Sequence, residues 1–307
     1  MIDLRNIETF FWAAALGSLR AASEKLGTTQ PAVSHRIASL EEALGVRLFE
    51  RDARGVTLTA KGQELLSHAE RMIQLRCDML RAAQDQNGMS CTVRIGVAET
   101  IVQTWLSRLI EQVHAAYPAL ALEIEVDSSM VLRSHLMSRQ IDLAFLMGPV
   151  LEERVENIHL CTYPLAWVAS PRLKLDDGPV TLRRLSDRPI ITYPSNSRPY
   201  LVLRDMLARA GVKARLYGSA SLSMVVRMAL DGIGAAVIAP VFLGKELADG
   251  DLKIIDVEAD PLPDLSFTAT WINGPESHAA RVIAAMAQEV AAQAEGGVTR
   301  SPQTGVE

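Results

Sequence analysis

The chain changes its hydrophobic period once, near residue 90, and that single change constrains the fold more than any other feature. Before it, apolar residues recur at helical spacing, broken by short turns. After it, short apolar runs alternate with amphipathic stretches, the pattern of strands and helices in succession. A chain of 307 residues with two such patterns exceeds one ordinary core and forms two or three domains.

In the first segment, Ile2, Leu4, Ile7, Phe10, Phe11, Ala14 and Ala15 are spaced to bury one face of an opening helix. Gly17 ends it, and Ser18 caps a second helix, Leu19 to Leu26, whose Ala21, Ala22 and Leu26 let another helix cross closely. Gly27 supplies a tight turn. Thr28 and Thr29 lead into Gln30-Pro31, where proline suits a first helical turn, and a third helix runs to about Leu44. Its Ala32, Val33, Ile37 and Leu40 face inward, which leaves Gln30, Ser34, His35 and Arg36 outward near its start. Gln can read an adenine edge, Ser and Thr can bond bases or phosphates, and Arg can pair with guanine or phosphate. The plain alternative is a solvated polar face. Asp52 to Gly55 then forms the turn of a short hairpin carrying Arg51, Arg54 and Lys61. Residues 1–62 hold eight Lys/Arg and seven Asp/Glu, and the whole chain is at −5, so affinity for DNA must come from arrangement rather than net field.

Thr59 is placed to cap a long helix reaching about Gln86, with Asn87-Gly88 as its stop. Leu65, Met72 and Met79 form one seven-spaced row along it and Leu66, Ile73 and Leu80 another, an apolar seam suited to a second chain. Packing onto its own domain is the alternative.

From Cys91 the order is strand Val93–Val97, helix Val102–Tyr117, strand Leu120–Val126, helix Val131–Ser138 and strand Ile141–Leu146. The pattern repeats with strands near Leu165–Ala169, Ile190–Thr192, Arg215–Tyr217 and Ala235–Ile238, and helices near Tyr200–Ala210 and Leu222–Leu230. Two similar lobes follow. Polar residues at strand ends and helix starts mark a cleft: Thr100, Ser128 and Ser129 in the first lobe, and Ser195, Asn196, Ser197 and Arg198 in the second. Arg198 is the natural partner of a carboxylate. Capping of their own helices is as good an account of any one hydroxyl, and the Ser219-to-Ser223 turn is a weaker candidate. Glu99 opposes a simple anion site if its carboxylate points inward.

The run Leu19-Arg-Ala-Ala-Ser-Glu-Lys-Leu-Gly-Thr-Thr-Gln-Pro-Ala-Val-Ser-His-Arg-Ile-Ala-Ser-Leu-Glu-Glu-Ala-Leu-Gly-Val-Arg-Leu-Phe-Glu-Arg, continued by Leu58-Thr-Ala-Lys-Gly, resembles the amino-terminal signature of the LysR-type transcriptional regulators. The resemblance implies an α+β chain: a winged helix-turn-helix at 1–58, a dimerising linker helix at 59–88, and a two-lobed α/β effector domain at 91–295, similar to periplasmic binding proteins. The first lobe would take about 91–161 and 267–295, the second about 162–266, with a disordered tail at 296–307. DNA contact falls to Gln30, Pro31, Ser34, Arg36, Arg51 and Arg54, with Thr28, Thr29 and His35 beside them. The implied partners are double-stranded operator DNA, a small effector between the lobes and a second copy of the chain, extended to a tetramer, with RNA polymerase as a further partner. Tyr193-Pro-Ser, with a basic residue and proline beyond, is similar to regulators that bind organic or aromatic acids. Such an effector would change the angle between paired winged domains, or the DNA bend.

Other classes find little support. The longest apolar stretch, Gly232 to Gly244, is 13 residues, short of the ~20 that span a bilayer. Asp3 and Arg5 stand where an export signal would begin, so a cytoplasmic protein is expected, with no membrane partner. The six histidines show no metal-ligand spacing, and there is no G-x-S-x-G elbow, P-loop or dinucleotide fingerprint, so neither a cofactor nor an enzyme is implied. Cys77, Cys91 and Cys161 form no C-x-x-C pair. A redox regulator using Cys91 and Cys161 is one alternative. A solute-binding protein is another, but it leaves the first ninety residues unexplained.

Overall fold

Caps and turns in the first sixty residues produce three helices and a hairpin. The structure of the protein is a computed structural model; it describes residues 2–52, 55–83, 92–175, 178–274 and 277–298. The chain divides into two compact units, Met1–Ser90 with Asn273–Ala279, and Cys91–Ile272 with Ala280–Glu307.

In the first unit, α1 (Leu4–Leu16) starts at Asp3, whose carboxylate accepts the Arg5 N–H, and stops at Gly17 in the left-handed region. Helix α2 (Leu19–Lys25) is capped by Ser18, and α3 (Gln30–Leu44) by Thr29, whose hydroxyl accepts the Ala32 N–H at 3.4 Å. Strands β1 (Phe49–Asp52) and β2 (Gly55–Leu58) pair antiparallel, with Phe49 opposite Leu58. Helix α4 (Ala60–Ala83) follows, its first turn held by the Thr59 hydroxyl, which accepts the Gly62 N–H and donates to the Arg47 carbonyl.

Ile7, Phe10, Phe11 and Trp12 of α1 meet Val33, Ile37 and Leu40 of α3, with Leu48, Phe49, Ala69 and Ile73 completing the core. The buried surface of α1 is wider than one stripe: Thr9, Trp12 and Ala13 are buried, whereas Ile2 and Ala15 are exposed. The reason is that α1 is packed against α2, α3 and α4 on different sides. The seam on α4 also divides. Ile73 and Ala69 are buried in the core of their own unit, with Leu65 and Leu66 packed against it, while Met72, Leu75 and Met79 remain exposed. The side chain of Leu80 and residues 84–91, with Asn87-Gly88, lie outside the described residues.

The second unit holds two five-stranded sheets. The first lobe is built from β3 (Thr92–Val97), the short α5 (Glu99–Val102), α6 (Leu106–Ala116), β4 (Ala121–Val126), α7 (Ser129–Met137), β5 (Leu143–Met147) and β6 (Val155–Tyr163). The second lobe takes β7 (Ala166–Ala169), β8 (Val180–Thr181), α8 (Leu182–Leu185), β9 (Ile190–Thr192), α9 (Arg198–Arg209), β10 (Leu216–Gly218), α10 (Leu222–Leu230), β11 (Ala235–Ile238), α11 (Gly244–Ala248), β12 (Lys253–Ile254) and β13 (Val257–Glu258). Then β14 (Leu265–Ile272) returns to the first sheet and α12 (His278–Val298) closes the chain.

The sheet orders are β4-β3-β5-β14-β6 and β10-β9-β11-β7-β12, each with three parallel strands and then one strand, β14 or β7, that pairs antiparallel with its neighbours on both sides. The helix expected over Val102–Tyr117 is broken: α5 and α6 flank Gln103 to Trp105, and the Trp105 ring is buried against Phe145. Strand β6 is an element that period alone did not reveal. It is a sheet edge whose residues alternate poorly between faces, and its pairing with β14 shifts between Phe267 and Thr268. Helix α12 continues through Val298, past residue 296 where the tail is expected to begin, and residues 299–307 lie outside the described residues.

Candidate functional site

Two surfaces collect the residues that the sequence singles out, one in each unit. In the first unit, the turn between α2 and α3 brings Gly27 into the left-handed region at φ 58°, and α3 leaves it with Gln30, Pro31 and His35 exposed and Thr28, Ser34 and Arg36 half-buried. Thr29 is exposed and caps α3. Sequence reasoning missed what fixes the hairpin beside them. The Glu41 carboxylate, from α3, accepts the Leu48 N–H at 2.7 Å and the Phe49 N–H at 3.2 Å, tying the start of β1 to the helix. Gly62 holds the other side: a Cβ there would stand 2.1 Å from the Leu48 carbonyl oxygen, so only glycine lets α4 close on the hairpin. Arg51 falls on β1, opposite Val56, but its side chain and the whole of Arg54 lie outside the described residues.

In the second unit a cavity of about 420 Å³ opens between the two lobes, at the carboxyl ends of the parallel strands. Thr100, Ser128, Ser129, Asn196, Ser197 and Arg198 all line it. Ser195 does not: the Pro194–Ser197 turn, closed by the Ser197 N–H on the Pro194 carbonyl, leaves it exposed outside the wall. The Ser219-to-Ser223 turn contributes Ala220 and Leu222 rather than its serines. Also in the wall are Asp127, Arg133 and Asp205, and the apolar Met130, Leu201, Val202 and Phe267, which hydroxyl and helix-start reasoning did not select.

The hydroxyls differ in how far the protein itself uses them. Ser197 accepts the Tyr200 N–H as the cap of α9, and Ser129 accepts the Met147 N–H, which ties α7 to the end of β5. Ser128 stands at the N-cap of α7 but makes no side-chain capping bond, and its own N–H donates to Asp127 at 2.6 Å. Thr100 is buried. Beside it, burial pushes the Tyr193 phenol up to about 12, against bonds from the Ala239 N–H and Thr100, and with the Glu99 carboxylate adding to the rise.

Glu99 points inward. Its carboxylate accepts the Leu222 N–H of α10 at 2.7 Å, across the cleft and 123 residues away in sequence. Arg133 pairs with Glu152, and Asp205 with its neighbour Arg204 at 3.0 Å. Arg198 is exposed and has no ion pair among the described residues.

A winged helical unit followed by a cleft between two like sheets matches known families along nearly the whole chain. The model of the bacterial regulatory helix-turn-helix protein, lysR family, matches residues 4–63, and that of the LysR substrate binding domain matches residues 86–292. The chain belongs to the LysR family of transcriptional regulators. It is a DNA-binding transcriptional regulator with an effector-binding domain. Among curated relatives, the HTH-type transcriptional regulator BbuR of Bordetella bronchiseptica is 28% identical over 300 residues, covering 95% of this chain and 89% of that protein. DgdR of Burkholderia cepacia is 28% identical over 294 residues, covering 95% and 94%. Solved structures share the fold. A full-length OxyR variant from Pseudomonas aeruginosa is similar with a TM-score of 0.61 at 22% identity, covering 94% of this chain and 95% of that one. Full-length LysG from Corynebacterium glutamicum, with bound effector Arg, gives 0.64 at 17% identity, covering 95% and 99%. LysR regulators bind DNA and small-molecule effectors and form oligomers.

The cysteines offer little to a redox reading among the described residues: Cys161 is buried in β6, and Cys91 lies outside them. Among the described residues no helix is long and apolar enough to cross a membrane.

Proposed function

We propose that this regulator binds an operator of dyad character through paired winged domains and is switched by a small organic acid seated between the sensor lobes. The observation that carries the effector reading is the meeting, on one 420 Å³ cavity, of a helix start without a side-chain cap and a guanidinium without an ion pair among the described residues. The N–H groups at the start of α7 and the Arg198 guanidinium, one from each lobe, are complementary to a carboxylate held between them. A ligand touching both lobes binds one degree of closure more tightly than others and shifts the population toward it.

In this reading residues 1–58 contact DNA, 59–88 pair with a second chain, and 91–295 bind the effector. Thr28, Thr29, Gln30, Pro31, Ser34, His35, Arg36, Arg51 and Arg54 meet the duplex, with α3 in the major groove and the hairpin on the backbone or minor groove. The exposed Met72, Leu75 and Met79 on α4 support a paired seam, on the face that its own core leaves uncovered. Pairing extends to a tetramer through the sensor domains. The protein works in the cytoplasm, acts through RNA polymerase at the promoter, and carries out no reaction of its own.

Duplexes selected by the full-length protein from a random pool provide the test. Arg36→Ala lowers affinity for the selected site about tenfold. A panel of small aliphatic and aromatic carboxylates shifts operator binding of the wild type and leaves Arg198→Ala unmoved. Full affinity in Arg36→Ala removes the assigned DNA contact, and equal responses in both proteins remove the carboxylate site.

A further inference from the structure

The cleft holds more negative charge than a site for a plain acid needs. Three carboxylates, Glu99, Asp127 and Asp205, and two guanidiniums, Arg133 and Arg198, line it. Asp205 is held by Arg204, and Arg133 by Glu152, so the two pairs drop out of the balance. Two carboxylates then stand against one guanidinium. A ligand bringing only a carboxylate neutralises Arg198 and leaves the half-buried Glu99 and the exposed Asp127 without a cation, and the apolar wall, Leu201 and Phe267 among it, strengthens what Glu99 exerts on the ligand.

Glu99 cannot turn away to relieve this without breaking a bond. Its carboxylate accepts the Leu222 N–H at 2.7 Å, at the positive end of the nine-residue α10, and so takes up the place where an anion would meet that N–H. Ser221, the N-cap of the same helix, accepts the Met224 N–H, so the end is closed by protein groups on both counts. The carboxylate is thereby fixed in place, half-buried, with one oxygen bonded across the lobes and the other without a hydrogen bond among the described residues. Its buried neighbours Thr100 and Tyr193 are neutral and bring no cation to it. A fixed anion inside an effector cavity rejects ligands of its own sign and attracts a cationic donor.

We propose that the effector is a zwitterion of amino-acid type, its carboxylate on the α7 start and Arg198 and its protonated amine against Glu99 and Asp127, with Glu99 as the residue that selects the amine. This rests on the acid-binding reading above and adds the second pole of the ligand. The cavity, at about 420 Å³, holds a molecule of that size, with the apolar wall left for its carbon skeleton.

The test is a titration of the full-length protein with matched pairs: each L-amino acid beside the acid of the same skeleton without the α-amine, such as phenylalanine with 3-phenylpropanoate, leucine with 4-methylpentanoate and glutamate with glutarate. Binding is read by calorimetry and by the ligand-dependent rise in melting temperature. At least one amino acid binds, and its partner lacking the amine binds about tenfold more weakly or worse, the usual loss when a charged hydrogen bond goes. Glu99→Gln keeps an oxygen for the Leu222 N–H and removes the charge, so it folds and narrows that ratio, while Asp127→Asn narrows it less. Arg198→Ala weakens both members of a pair alike. If the acids without the amine bind as well as the amino acids, or if Glu99→Gln leaves the ratio unchanged, the inference is overturned and the acid site stands. If no member of any pair binds, the acid site falls with it.

Discussion

The two sensor lobes have the same strand order and opposite habits at the cleft. In the second lobe both helices that start at the cavity are capped by their own serines, Ser197 for α9 and Ser221 for α10, and α10 receives the Glu99 carboxylate besides. In the first lobe α7 starts at Ser128 without a side-chain cap, and the next hydroxyl, Ser129, is engaged by the Met147 N–H. A repeated fold therefore does not repeat its chemistry. What a lobe offers a ligand is set by which helix-start N–H groups the protein already satisfies, and that depends on one or two side chains rather than on the sheet.

The same contrast extends to how tightly each sheet is built, and there it has its largest measurable effect. A Cβ on Gly234, just before β11, would lie 1.8 Å from the Pro189 carbonyl oxygen, a backbone atom that cannot yield without moving β9. A Cβ on Gly96, in β3, would lie 2.5 Å from the tip of Ile141 and 2.8 Å from the tip of Leu132, side-chain ends that can rotate. Gly234→Ala should cost about 3 kcal/mol or more and Gly96→Ala about 1–2 kcal/mol. Urea unfolding of the two variants measures this, and the reverse order would mean that the first lobe is the less tolerant one.

Much of this architecture was legible in the sequence, and the reasons are local. Helix α3 starts and ends at the predicted Gln30 and Leu44 because a threonine cap, a first-turn proline and a terminal glycine all act within a few residues. Strands β9 and β11 fall where short apolar runs place them. Long-range effects were less accessible. Strand β6 is specified by its pairing with β14, more than a hundred residues on, and Ile73 turns to its own core because α1 lies against α4. At the cleft, residue type indicated most of the hydroxyls that line the cavity, since helix starts are readable. It could not indicate that Glu99 reaches Leu222, nor that Ser195 turns outward, because both depend on lobe placement and the course of one turn.

Two buried tyrosines sharpen the comparison by pH. Burial raises both phenols, with the Cys161 thiol adding at Tyr163 and the Glu99 carboxylate at Tyr193, which reaches about 12. A phenol raised in the folded state keeps its proton there while the unfolded chain has lost it. Stability from Tyr193 is therefore complete below about pH 10 and declines as pH rises toward 12. Tyr193→Phe should remove a loss on the order of 2 kcal/mol across that window. At neutral pH both phenols are protonated in the folded and the unfolded chain, and hydrogen bonding decides instead. Tyr193 accepts the Ala239 N–H, whereas the Tyr163 hydroxyl is buried without a well-formed hydrogen bond among the described residues. Tyr163→Phe should then be neutral or stabilising near pH 7, and Tyr193→Phe mildly destabilising. Equal effects at both pH values would remove the distinction between the two phenols.

The smallest effect bears most directly on the cleft. Ser197→Ala removes a side chain that accepts the Tyr200 N–H, and should cost about 1 kcal/mol by chemical unfolding, the usual penalty for losing a cap. Ser221→Ala loses less, because the Glu99 carboxylate still holds the first N–H of α10. Ser128→Ala removes a hydroxyl that makes no capping bond, so its cost should stay within a few tenths of a kcal/mol. If Ser128→Ala costs as much as Ser197→Ala, then Ser128 caps α7 in solution, the two lobes present equally closed helix starts, and the carboxylate of the effector loses half of its proposed site. If the costs separate as expected, the start of α7 is the end left open to a ligand, and the difference between the lobes is the difference between a wall and a binding surface.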